Sequence, residues 1–266
     1  MTTATNTLVP IAGRSWLRGF GNLFRNENNL RWGRYRWILS VLIWLVILNG
    51  FIFLVAYGEA DSGKSTPSEI AEEGIAIFMT FGTIATAVGV ITAVQGAIIH
   101  EKQLGTAAWV LSKPASRNAF VLAKLLSYAL AYLLVPLILT SLVFYVQSQM
   151  LWNQVPVPAA FLAGWMLMVL HMLFYVAFTL MLGTLFNGRG SVSAIGLGFF
   201  FGGQIFPNFL PQWVILMFPW KLSELAPALV LGQPLPAGWF IPMITTAVWT
   251  VTFIVIALWR FGREEF

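Results

Sequence analysis

The run WILSVLIWLVILNGFIFLVAY, Trp37 to Tyr57, decides the fold. It carries no Asp, Glu, Lys or Arg, and as a helix rising 1.5 Å per residue it matches a bilayer core about 30 Å thick. Working outward, the same character returns in Gly74 to Ile99 and in about Ala119 to Gln147, where Pro136 predicts a kink. It returns again in about Phe161 to Phe186, in Val192 to Phe206 cut short by Pro207, and in about Phe240 to Trp259. None of these runs alternates apolar and polar residues with period two, so helices are expected and not a barrel. Composition agrees: 58% of residues are hydrophobic, 15% aromatic and only 9% charged, with a mean hydropathy of +0.79. A soluble domain needs about 25% charged residues to face water, so a soluble fold is excluded. A disordered chain and a nucleic-acid-binding module fall by the same arithmetic, and the absence of Cys excludes a disulfide scaffold.

The expectation is an all-α membrane protein with six transmembrane helices and both termini cytoplasmic. Residues 1–36 form a basic cytoplasmic segment without the apolar core and cleavage site of a signal peptide. Residues 37–259 form the membrane domain, with spans over 37–57, 74–99, 119–147, 161–186, 192–206 and 240–259, and residues 260–266 are a cytoplasmic tail. The positive-inside rule sets this orientation. Arg14, Arg18, Arg25, Arg31, Arg34 and Arg36 precede the first span; Lys102, Lys113, Arg117 and Lys124 surround the loop between spans two and three. Arg189 follows span four, and Arg260 and Arg263 close the chain. Only Lys64 and Lys221, of the 15 basic residues, fall on the other side. The first loop there is acidic, with Glu59, Asp61, Glu69, Glu72 and Glu73.

That loop also contains GEADSGKS, Gly58 to Ser65, which fits the phosphate-binding pattern GxxxxGK[ST] letter for letter. The pattern works by aiming backbone N–H groups at phosphates between a strand and a helix. Here a full membrane span precedes it, Pro67 follows, and acidic side chains surround it on the outer side. It is a coincidence of letters. Catalysis by this chain alone is not expected either. The order of His171 and Ser191 or Ser193 reverses that of a six-span serine protease, and the spans hold no carboxylate pair for an aspartyl protease. A lone His171, far from His100 and without Cys, makes no metal site.

Two cytoplasmic stretches stand out. Trp16, Leu17, Phe20, Leu23 and Phe24 recur with helical spacing, with Arg14, Arg18 and Arg25 largely opposite. This predicts an interfacial amphipathic helix before span one, the alternative being an irregular basic segment held to anionic lipid. The loop from His100 to Asn118 predicts a short helix from about Thr106 to Leu111, ended by Pro114, with Ser116 as N-cap of span three. Trp109 and Leu111 beside Lys113 and Arg117 suit either a docking surface for a soluble partner or a solvated connector.

Glu101, Gly105-Thr106, Leu111-Ser112, Pro114, Arg117 and Lys124 resemble the signature of the membrane subunits of type-2 ABC transporters. The layout is similar too, and so is the proline-rich stretch Pro207 to Gly238, where members of that family have short re-entrant helices before the last span. The resemblance implies a coupling role for Glu101, Gly105, Thr106, Trp109, Leu111, Pro114 and Arg117, which would meet separately encoded ATPase subunits carrying ATP and Mg. It also implies a second copy or a paralogue completing a twelve-span core, export, and the cytoplasmic (inner) membrane of a prokaryote. Spans one, two and five would lie nearest the translocation path.

Small residues at four-residue spacing mark close helix packing in a membrane. Ala85, Gly89, Ala93 and Ala97 in span two, and Ala194, Gly198 and Gly202 in span five, are expected to pack these two spans together or against another subunit. Asn49 and Gln95 are the polar candidates for a central pathway, or else are locally satisfied. A non-transporting structural or assembly subunit of a larger membrane complex would need the same spans but not the docking loop.

Overall fold

The computed structural model describes residues 16–33, 35–62, 66–105 and 115–264. All regular structure among these is helical. A short helix α1 (Phe20–Trp32) precedes the long apolar helices α2 (Arg36–Gly58), α3 (Pro67–Gln103), α4 (Arg117–Trp152) and α5 (Pro158–Leu185). Then come α6 (Arg189–Ile205), the four-residue α7 (Gln212–Ile215), α8 (Leu222–Val230) and the last long helix, α9 (Ile241–Gly262). The protein is a multi-pass, all-α membrane protein.

Five helices are long and apolar enough to cross the bilayer, not the six expected. The run over 192–206 is the exception. It lies in α6, which has 17 residues and so reaches about 25 Å against a core of about 30 Å. Its apolar letters continue past Ile205, but its helix does not. Pro207, Pro211 and Pro219 each open a new short element, because proline offers no N–H to the preceding turn. The chain nevertheless returns to its starting end. Lys102 at the end of α3 donates to the Thr184 carbonyl at the end of α5, and Arg117 at the start of α4 donates to the Gly262 carbonyl at the end of α9. Between Leu185 and Ile241 the return is made by α6 and broken short helices. The gathering of basic segments at one end is met by this irregular stretch in place of a sixth long span.

Helix α1 also departs from expectation. Gly19 takes a left-handed φ of 82°, which glycine adopts without a Cβ penalty, so the helix begins at Phe20 and not at Trp16. Trp16 and Leu17 lie in the preceding turn, exposed. The face it turns inward is mixed, half-burying Leu23 and Trp32 against the core alongside Glu27, Asn28 and Arg31.

Packing centres on α5: 78% of its most apolar window is buried, against 22% for α2 and for α9. Gly164 permits one close part of the fit. At Gly164 a Cβ would sit 2.7 Å from the Ala226 carbonyl oxygen, so α8 lies directly on the α5 backbone. Phe78, Phe144 and Phe161 stack where α3, α4 and α5 meet. Pro136 falls in a π-helical segment of α4, Leu133–Leu139, and a second such segment, Leu45–Gly50, lies in α2. A wider turn of this kind absorbs the missing proline N–H.

Candidate docking face at the charged end of the bundle

Helix α3 begins with a capping box. Thr66 Oγ1 accepts from Glu69 N–H, and Glu69 Oε2 accepts from Thr66 N–H at 2.8 Å. At its other end it turns at 95–98 and finishes with Ile99–Gln103. Glu101 and Lys102 therefore close span two instead of lying in the loop. Gly105, at φ 68°, stops the helix, its N–H bonding to the Lys102 carbonyl at 3.2 Å. Helix α4 opens with Ser116, whose Oγ accepts from Ala119 N–H. Ser116 also donates from its N–H to the Arg18 carbonyl at 2.9 Å, and from its hydroxyl to the Trp16 carbonyl at 2.6 Å. The N-terminal segment is thus fastened to the start of α4.

Inside this corner sits Lys124, two turns into α4 and only 3% exposed. A lysine this near the end of a span has the reach to snorkel to the interface. Its ammonium group instead meets Glu27 of α1 at 2.6 Å and Glu101 of α3. A buried ammonium is costly unless paired and hydrogen-bonded, and two carboxylates from separate helices satisfy it. Glu27 lies 3.7 Å from Arg31 on its own helix. Arg31 Nε donates to Ser127 Oγ at 3.0 Å, and its guanidinium lies 3.3 Å from the centre of the Tyr128 ring. The network joins α1, α3 and α4.

Four further contacts extend it to the rest of the bundle. Lys102 pairs with Glu264 after α9 at 2.7 Å, and Gln103 donates to the Asn187 carbonyl at 3.2 Å. His100 Nδ1 lies 2.6 Å from Arg189 Nη2 at the start of α6. Arg117 reaches the Gly262 carbonyl at 2.8 Å. The predicted residues Glu101, Gly105 and Arg117 are therefore gathered at one end, flanking the segment 106–114. Thr106, Trp109, Leu111 and Pro114 lie outside the described residues, as do Gly63, Lys64 and Ser65 of the phosphate-loop coincidence.

The small-residue stripes have different neighbours from those expected. A Cβ at Gly89 would meet the Trp44 ring of α2 at 2.6 Å, and the Tyr132 hydroxyl of α4 donates to the Gly89 carbonyl at 2.5 Å. Gly89 thus faces spans one and three, while Ala85 is half-buried, Ala93 exposed and Ala97 buried. The contact of α6 with α3 is made instead by Gly196, whose Cβ would meet Ile91 at 2.9 Å. Ala194 and Gly198 point away, exposed, and Gly202 lies under the ring of Phe206.

The two polar candidates are also placed. Asn49 is buried, its Nδ2 donating to the Thr140 carbonyl at 3.1 Å and to Gln147 Oε1 at 3.3 Å, while Gln147 Nε2 returns a bond to the Asn49 carbonyl at 2.9 Å. This links α2 to α4 beside a 480 Å³ groove bordered by Phe53, Val146 and Met150. Gln95 accepts from Ser193 of α6 and donates to its own helix at Thr92. Gln147 was not singled out from sequence because it ends an apolar run. Nothing local in the sequence marks Glu27 as a partner for Lys124.

The chain belongs to the family described as "Protein of unknown function (DUF2705)", whose match covers residues 37–266. No curated protein matches it significantly. The match begins at the first membrane span and takes in the whole charged corner except α1 and its preceding turn.

Proposed function

We propose that the chain is the transmembrane subunit of an ATP-driven transporter of the type-2 ABC kind, coupled at its charged end to separate ATPase subunits. On this reading it lies in the cytoplasmic membrane of a prokaryote with the charged end inward. It works as an exporter together with a second copy or a paralogous subunit. ATP and Mg belong to the ATPase partner. The observation that carries the reading is the linkage of Glu101, Lys124 and Glu27. It ties the end of α3 and the first turns of α4, which flank residues 106–114 in the sequence, to each other and to α1. Closing ATPase subunits would impose a displacement on these two flanking points. It passes to α3 through Glu101, to α1 through Glu27 and Ser116, and to α9 through Arg117.

The test is co-purification of the full chain with its ATPase, followed by reconstitution in vesicles. The ATPase is expected to co-purify. Arg117→Ala and Gly105→Val are expected to leave the complex assembled while reducing coupled ATP hydrolysis by about tenfold, equivalent to about 1.4 kcal/mol of activation free energy. A chain that binds no ATPase contradicts the proposal, as do substitutions that leave coupled hydrolysis intact. The first of these results favours a structural subunit of a larger complex.

A further inference from the structure

Beside the charged corner lies a pocket of about 210 Å³, enclosed by α1, α2, α3 and α4. Its wall holds Arg31 and Trp32 from α1, Trp37 and Trp44 from α2, Ala93 from α3 and Tyr132 from α4. Trp37 and Arg36 open the first span, which puts the pocket at the membrane–water boundary, where tryptophan and tyrosine collect. Ala93 has only a methyl group to offer, and the space in front of it is the pocket floor. Trp44 and Tyr132 meet edge to face at 5.9 Å and hold the inner wall.

Arg31 gives the pocket its chemistry. Ser127, Glu27 and the Tyr128 ring fix its guanidinium in place. Of its five N–H donors, one is committed to Ser127 among the described residues, and Glu27 lies beyond hydrogen-bond reach at 3.7 Å. Glu27 gives its closer contact to Lys124, at 2.6 Å. The result is a preorganised cation with donors to spare, facing a cavity at headgroup depth. Planar guanidinium donors match the oxygens of a phosphate, and basic pockets between membrane helices on the basic side hold anionic headgroups.

We propose that this pocket binds the phosphate group of an anionic membrane lipid, with the phosphate on Arg31 and the glycerol end against Trp37 and Trp44. The volume suits a headgroup and not a whole lipid, so the acyl chains run outside, along α2. Phosphatidylcholine carries the same phosphodiester, but it would bring its quaternary ammonium into the same small pocket as the Arg31 guanidinium, where the like charges oppose one another. The proposal stands without the transport reading, since it concerns binding by this chain alone.

The test is a titration of the purified full chain in detergent, read by native mass spectrometry. The probes are dioctanoyl phosphatidylglycerol, dioctanoyl phosphatidylcholine and inorganic phosphate. Phosphatidylglycerol is expected to bind at least about tenfold more tightly than phosphatidylcholine, a difference of about 1.4 kcal/mol. Arg31→Gln removes the charge. Ala93→Phe fills the floor from an exposed face of α3 and leaves every bond of Arg31 intact. Both are expected to lower phosphatidylglycerol binding about tenfold. Competition by free phosphate identifies the phosphate itself as the recognised group, and its failure to compete identifies the lipid; both outcomes support an anion site. Phosphatidylcholine binding as tightly as phosphatidylglycerol overturns the proposal. So does an Ala93→Phe chain that binds phosphatidylglycerol unchanged.

Discussion

The two ends of the bundle are closed by different physics. At the charged end, the polar bonds join segments far apart in sequence: Lys124 to Glu27 and Glu101, Lys102 to Glu264, Arg117 to the end of α9, and Ser116 to Arg18. At the opposite end the charged side chains, among the described residues, make local bonds. Thr66 and Glu69 cap a single helix, and Lys221 meets Glu224 three residues on, at 2.5 Å. Cohesion there comes from packing, with Gly164 against α8, Gly74 under the Trp152 ring and Gly203 under the Trp220 ring. A packed end resists displacement through its shape. A cross-linked end passes displacement between elements, which is what an input site needs.

The sharpest way to break this contrast is Lys124→Met. It removes the ammonium that Glu27 and Glu101 share, and removing one partner of a buried pair costs about 3–5 kcal/mol. Denaturant titration in micelles should show that loss, with hydrogen exchange rising first in α1. Adding Glu27→Gln and Glu101→Gln to the same chain should recover most of it. Next in size is Gly164→Ala at the packed end. Its Cβ would press on the Ala226 carbonyl, costing about 1–3 kcal/mol without loosening α1. Thr66→Ala should cost about 1 kcal/mol, the value of one N-cap, confined to the start of α3. Lys221→Ala should change stability by less than about 0.5 kcal/mol, since its pair is exposed. A Lys221→Ala loss as large as that of Lys124→Met would erase the distinction between the ends.

The long spans were legible because uncharged runs of bilayer length admit few other structures, and α2, α3, α4, α5 and α9 follow them closely. The run over 192–206 misled because hydropathy counts apolar letters and does not register where the backbone stops being helical. Glycines at 188, 190, 196, 198, 202 and 203 and the prolines at 207, 211 and 219 make that stretch short and broken. The small-residue stripe of α3 was visible, but its neighbours were not. A ring as large as that of Trp44 fills a glycine groove as well as a second helix backbone does.

The charged site was half legible. Glu101, Gly105, Arg117 and Lys124 stood out as a group along the chain. Gly105 proves to have a local task, ending α3 in a left-handed turn. The third member of the buried network did not stand out, because Glu27 lies 97 residues from Lys124 in sequence. Its partner became visible only once α1 was laid against α4. Nor could α1 be placed by periodicity, since Gly19 divides the apolar pattern that Trp16 begins.

The central claim is that the charged end receives the input from an ATPase. The most direct measurement is site-specific photo-crosslinking in cells, with the reactive side chain at position 109 between the two anchors and, in a second chain, at Trp213, which is exposed in α7. The account predicts a nucleotide-binding ATPase covalently joined at position 109, identified by mass spectrometry, with a yield that changes when ATP is depleted, and no such adduct at 213. An absent ATPase adduct at 109, or equal adducts at both positions, would contradict it.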